Sequence, residues 1–233
     1  MFLKNFELLV LSLLISGVTL AQNSFSNSYK AGDKLYVYTR DGLSLREQPD
    51  PKGKLILVAP YGDEVTVQPD SNPRITFTSS NIPGAWVRVK HLDKTGYMFN
   101  GFLSRLKPIK NSTTERYRED LYNYLKQEFK LVEETKSPPE AIYNSYLKME
   151  LGNGATYETK DYEGGSTITV RFPIKVITYQ EVFLFARLVY PEFFINKKCD
   201  YKIDNTTCEV DENASLTIKK EGSYYSIFYG FAD

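Results

Sequence analysis

Apolar and polar residues alternate along much of this chain, and the alternation is clearest across residues 86–106. It runs Trp-Val-Arg-Val-Lys-His, breaks at 93–96, and resumes through Tyr-Met-Phe, which predicts two antiparallel strands joined by a tight turn. Upstream the same period recurs in shorter pieces. Residues 34–38 alternate, Arg40-Asp41-Gly42 turns the chain, and Leu43-Ser44-Leu45-Arg46 alternates again before Gln48-Pro49-Asp50-Pro51-Lys52-Gly53 breaks it. Residues 55–58 form a buried-type run, Pro60-Tyr61-Gly62-Asp63 turns it, and 64–67 continue as a strand. Short strands punctuated by Pro and Gly predict a small barrel or sandwich.

After Pro108 the period changes. Ser112 and Glu115 stand in capping-box spacing, and Tyr117, Leu121, Tyr124, Leu125 and Phe129 follow at helical intervals, predicting a helix over 113–129 with an extension toward Val132 open. Its apolar stripe must be buried, so it is assigned to a second domain, with packing across both domains as the alternative. Ser137-Pro138-Pro139 stops it. Residues 142–172 then read as three strands of a meander, with turns at Gly152-Asn153-Gly154 and Glu163-Gly164-Gly165. A second capping box, Thr178 and Glu181, opens a helix over 179–190 with Val182, Phe185, Ala186 and Val189 on one face and Pro191 as its stop. Residues 215–220 and 223–230 are strands around Glu221-Gly222. The expected architecture is mainly β: an N-terminal small β-barrel over 33–107, then, over 112–233, a helix and an antiparallel-sheet α+β domain.

Five pieces of the first region carry a family resemblance. Leu43-Ser44-Leu45-Arg46-Glu47-Gln48-Pro49, Gly53-Lys54-Leu55-Ile56, Tyr61-Gly62-Asp63-Glu64-Val65-Thr66-Val67, Ala85-Trp86-Val87-Arg88-Val89 and Lys94-Thr95-Gly96-Tyr97-Met98 resemble, in order and spacing, the bacterial SH3 domain. The resemblance covers about 33–107. Ser44-Leu45 replaces the family's Asn-Val without disturbing the alternation. The loop over 68–84 is longer than the family usually carries and holds Pro69, Pro73 and Pro83 with Ile75, Phe77 and Ile82. Those apolar residues either cap the barrel or touch a partner, and capping is the preferred reading. The resemblance implies recognition of an extended peptide or cell-wall component between aromatic side chains. The candidates are Trp86 and Phe102, with Tyr36, Tyr61 and Phe99 near them in pattern; for each, barrel core is the competing role.

Composition changes the picture in three places. Lys4, the nearly uncharged apolar run over 8–20 and Thr19-Leu20-Ala21 together read as a signal peptide over 1–21, cleaved after Ala21. The run is shorter than the roughly 18–20 residues that cross a bilayer, so a secreted or periplasmic protein without stable membrane insertion is expected. Lys plus Arg and Asp plus Glu both number 29, which disfavours nucleic acid as a partner. Cys199 and Cys208, close in sequence in an oxidising compartment, are expected to form one disulfide contributing on the order of 2–3 kcal/mol.

Catalytic constellations are scarce. Ser145-Tyr146-Leu147-Lys148 and Lys94-Thr95-Gly96 imitate two motifs of serine β-lactamases, but Ser-Asp-Asn is missing and the order is reversed; Lys94-Thr95-Gly96 is better read as the hairpin turn, with glycine supplying backbone freedom. His91 is the single histidine, so thiolate–imidazole chemistry, a Ser-His-Asp triad and most zinc sites lack their parts. Asp200, Asp204, Glu209, Asp211 and Glu212 lack the spacing of a calcium loop. No cofactor or metal is expected. The reading is a secreted, non-enzymatic binding protein whose second domain adds recognition or scaffolding. Its rivals are an envelope glycan hydrolase using paired carboxylates of the C-terminal domain, and a barrel that merely packs on that domain. The ligand and oligomeric state stay open.

Overall fold

The computed structural model describes residues 29–72, 75–80, 82–109, 117–137, 144–194, 199–202, 204–209 and 213–232. The expected signal peptide and the Ser112–Glu115 capping box lie outside them.

Eight strands build the first unit: β1 Lys34–Val37, β2 Leu43–Arg46, β3 Leu55–Ala59, β4 Glu64–Val67, β5 Thr76–Ser79, β6 Ile82–His91, β7 Lys94–Phe99 and β8 Leu103–Ser104. Their order is β3-β2-β7-β6-β4-β1-β8, with β5 paired to β6, and every pairing is antiparallel. Alternate residues turn inward: Leu35, Val37, Leu43, Leu45, Val65, Val67, Val89, Met98 and Leu103 form one buried cluster. Since β3 and β8, at opposite ends of the order, both feed that cluster, the sheet wraps around it as a small SH3-like barrel. A 3₁₀ turn at Asn100–Phe102 separates β7 from β8.

The second unit is α+β. Helix α1 (Tyr117–Phe129) is followed by β9 Leu131–Ser137, β10 Ser145–Leu151, β11 Thr156–Tyr162, β12 Gly165–Pro173, helix α2 (Tyr179–Val189), β13 Cys199–Lys202, β14 Asn205–Glu209, β15 Ala214–Glu221 and β16 Tyr224–Ala232. The strands form one antiparallel sheet in the order β13-β14-β15-β16-β12-β11-β10-β9. Both helices pack on the inner face of this sheet, where Ile168, Val170, Phe172, Leu216, Ile218 and Ile227 are buried. α2 begins on the expected capping box: the Glu181 amide donates to Thr178 Oγ1 and the Thr178 amide donates to Glu181 Oε2. Cys199 and Cys208 face each other across the β13–β14 pair and are joined as a disulfide.

Two boundaries differ from the sequence reading. α1 does not run on toward Val132, because Lys130 takes a left-handed φ of 51° and the chain re-enters as the strand β9. The hairpin turn is at Leu92–Asp93, where Leu92 has a φ of 53°, so Lys94, Thr95 and Gly96 are the first residues of β7. Gly96 is needed for space instead of turning: a Cβ there would lie 2.5 Å from the Arg46 carbonyl oxygen and 2.8 Å from Ile56 Cδ1.

The two units share a core. Tyr38, Ile82, Leu106 and Ile109 of the barrel region are buried in the same cluster as Leu121, Tyr124 and the α2 face. Polar ties cross the boundary as well. Arg105 donates from Nε (2.9 Å) and its amide (2.8 Å) to Glu181 Oε1, and from Nη2 (2.7 Å) to Oε2. Glu181 itself is fully buried. Its carboxylate raises the Arg105 pKa further, through those hydrogen bonds first. Gln180 Nε2 donates to the Asn100 carbonyl, and Tyr124 donates to the Lys107 carbonyl.

Candidate functional site

The hairpin of β6 and β7 sets up the site. Register pairs Trp86 with Phe99 and Arg88 with Tyr97, so strand alternation sends all four side chains to the outer face while Val89 and Met98 turn inward. The long loop then folds back as β5 along β6, with Trp86 N donating to the Ile75 carbonyl. This lays Phe77 over the outer face, its ring centroid 6.1 Å from that of Trp86 and 5.5 Å from that of Phe99. Ile82 is buried as well, and Ile75 stays exposed. Capping thus describes Phe77, while Ile82 is buried in the core shared with the second unit.

The five predicted ligand-binding residues therefore divide. Trp86, Phe99 and Phe102 form a chain of edge-on rings, with centroids 6.4 Å apart for Trp86–Phe99 and 5.4 Å for Phe99–Phe102. Phe99 is 4% exposed and Trp86 9%, so most of this aromatic face is plug. Phe99 is held on both sides by glycine: a Cβ at Gly84 would come within 2.7 Å of its ring, and one at Gly101 would collide with it. Tyr36 and Tyr61 lie elsewhere, packed against the shared core. Tyr36 donates to Glu64 Oε2 and Tyr61 to the Ile109 carbonyl. Burial pushes the Tyr61 hydroxyl pKa up to about 12, so it is protonated at neutral pH and acts as a structural donor.

What remains open beside the plug is a groove of about 440 Å³, lined by Trp86, Tyr97, Ile75, Arg88, Pro69 and Tyr29. It continues past Tyr97 into a shallower extension edged by Glu47 and Thr95. Its wall is the loop itself, fixed by Asn72 Nδ2 donating to the Tyr97 hydroxyl (2.9 Å) and by Arg88 Nη1 donating to the Pro69 carbonyl (3.1 Å). An indole edge, two phenols, an isoleucine and two prolines offer an extended ligand apolar contact, while Arg88, Asp70 and Glu47 supply charge of both signs. Tyr97, Arg88 and Tyr29 were missed from sequence, and Ile75 takes the less preferred of its two expected roles, exposed where a partner could touch it. For Tyr97 and Arg88 the signal was present, since the period that turns Met98 and Val89 inward turns them outward.

The imitation motifs come apart. Ser145 and Lys148, three residues apart on β10, face opposite sides of the sheet; Ser145 donates to Asp161 Oδ2 (2.5 Å) and Lys148 Nζ lies 2.8 Å from Glu150. His91 is buried in the barrel, with Nδ1 3.3 Å from the Glu64 carbonyl and Nε2 3.4 Å from Asp63 Oδ2. Of the acidic group around the disulfide, Asp200, Asp204 and Glu209 are among the described residues and Asp211 and Glu212 lie outside them; among the described residues no metal-type cluster of His, Cys, Asp and Glu occurs.

The small, wholly antiparallel barrel is SH3-like in architecture. Residues 41–104 match the family model for the bacterial SH3 domain. No curated protein and no solved structure matches the chain.

Proposed function

We propose that this is an exported, non-enzymatic binding protein whose SH3-like barrel takes an extended peptide or cell-wall component in the groove beside Trp86, the second domain serving as added scaffold or recognition unit. The observation that carries the reading is the construction of that groove: the family's outer hairpin face supplies Trp86, Arg88 and Tyr97, and the loop is tied across it to leave Ile75 exposed. The disulfide supports folding in an oxidising compartment. No helix among the described residues is long and apolar enough to cross a membrane. The non-enzymatic part of the reading rests on the sequence, which offers a single histidine and two cysteines; those cysteines are joined and His91 is buried.

The test is retention on insoluble peptidoglycan and on envelope extracts. Trp86→Ala is a poor variant because it opens the plug; Tyr97→Ala and Ile75→Asp leave the buried rings in place. Each is expected to reduce retention about tenfold, the loss of an aromatic or apolar anchor from a groove. Retention equal to wild type in both variants excludes the groove. Clearing of a cell-wall suspension by the purified protein would instead favour a hydrolase.

A further inference from the structure

A second concavity lies where the two units meet. The β1–β2 turn of the barrel faces α2 and the turn after it across a cleft of about 640 Å³. Leu184, Arg187 and Leu188 stand three and four residues apart and so share one face of α2. With Phe102, Pro191 and Phe194, the two leucines give the cleft an apolar floor. Phe102 is thus the predicted ligand residue that reaches this cleft and not the barrel groove.

The rim is charged. Arg40 is exposed on the β1–β2 turn and Arg187 half-buried on α2, and neither meets an acidic partner among the described residues. The contrast with Arg105 is informative, since that arginine, close by in the fold, is fully engaged by Glu181. Asp41 also lines the cleft, leaving a formal excess of one positive charge among its described lining residues. Two guanidinium forks over an apolar floor suit a ligand with a planar anion and an apolar body. One net charge, with a carboxylate beside it, suits a monoanion and opposes a phosphate dianion.

We propose that this interdomain cleft is a second ligand site, independent of the barrel groove, which takes the C-terminal carboxylate of a short apolar peptide between Arg40 and Arg187 and seats its side chains on Phe102, Leu184 and Leu188. The site exists only when the two units are docked, because each contributes one arginine and part of the floor. The second domain thereby completes a binding surface that the barrel alone lacks.

Titration calorimetry of the full chain with two probes decides it: acetyl-Gly-Leu-Phe with a free carboxylate, and the same tripeptide as its carboxamide. The free acid is expected to bind at least about tenfold more tightly, the size of a charge-assisted hydrogen-bond pair. Arg187→Gln and Arg40→Gln should each erase that preference, whereas Lys52→Gln, which removes one positive charge from an exposed turn elsewhere, should keep it. Equal affinities for acid and amide, or no heat from either up to millimolar concentration, overturns the proposal. Phenyl phosphate binding more tightly than the free acid overturns the assignment to a carboxylate. The comparison of acid with amide needs no variant, so poor folding of either arginine mutant leaves the test intact.

Discussion

At Gly96 the constraint is distance. The residue sits within β7 at ordinary strand geometry, and a methyl group there has only the Arg46 carbonyl, Ile56 and Leu45 to push against. Gly96→Ala is therefore expected to cost about 1–3 kcal/mol, the range for overpacking a tight interior. Lys94, two residues earlier, makes an exposed ion pair with Asp93 at 3.2 Å, both side chains more than half exposed. Lys94→Ala should change stability by less than about 0.5 kcal/mol, as isolated surface pairs do. Urea unfolding of the two variants separates space from charge in this Lys-Thr-Gly. A cost at Lys94 matching that at Gly96 would contradict the assignment.

At the scale of elements, one carboxylate ties α1 to β9 through side chains of both. Glu134 Oε2 accepts from the Tyr122 hydroxyl at 2.6 Å and lies 3.2 Å from Lys126 Nζ, while Oε1 lies 2.9 Å from Lys136 Nζ. The Tyr122 hydrogen bond first, then the two lysines, hold its pKa down at about 2 against an ordinary 4.5. A lowered pKa in the folded state means that this stabilisation is complete above pH 4.5 and disappears as the pH falls through about 2. Glu134→Gln should therefore lower stability at pH 7 and flatten the decline between those limits, measured as urea midpoints over a pH series. A variant with the same acid slope as wild type would show that Glu134 does not act there.

These same elements mark how far the sequence could be read. α2 and the meander were legible because a capping box and period-2 runs bounded by Gly pairs are local signals. β9 was not: Leu-Val-Glu-Glu-Thr-Lys-Ser follows a helix with no Gly or Pro between, and the break is made by Lys130 adopting a conformation that sequence assigns to glycine. β13 and β14 carry Asp, Asn and Thr around the cysteines and lack an apolar period to find. The site was half legible. Trp86 could be placed on the hairpin of β6 and β7, but whether Phe99 stayed open depended on a loop folding back to deliver Phe77, a contact no local pattern encodes.

Across the whole molecule, the shared core makes the two units thermodynamic partners. The barrel's Tyr38, Ile82, Leu106 and Ile109 are buried by residues of the second unit, so neither could unfold without exposing apolar surface of the other. The Arg105–Glu181 pair adds an asymmetric lock. Glu181 is fully buried whereas the Arg105 side chain is 42% exposed. Arg105→Ala leaves a carboxylate buried with only Thr178 and the Arg105 amide as donors, and is expected to cost about 3–5 kcal/mol. Glu181→Ala lets the guanidinium swing into water and should cost less. Wild-type unfolding in urea is accordingly expected to be a single transition, with the fluorescence of Trp86, the lone tryptophan and a reporter of the barrel, coinciding with far-UV circular dichroism, which reports both sheets. Two separated wild-type transitions would show that the docking is too weak to couple the units. Because the interdomain cleft draws an arginine from each side, that result would also leave its two halves free to part, and the carboxylate preference should then weaken along with the barrel's stability in Arg105→Ala.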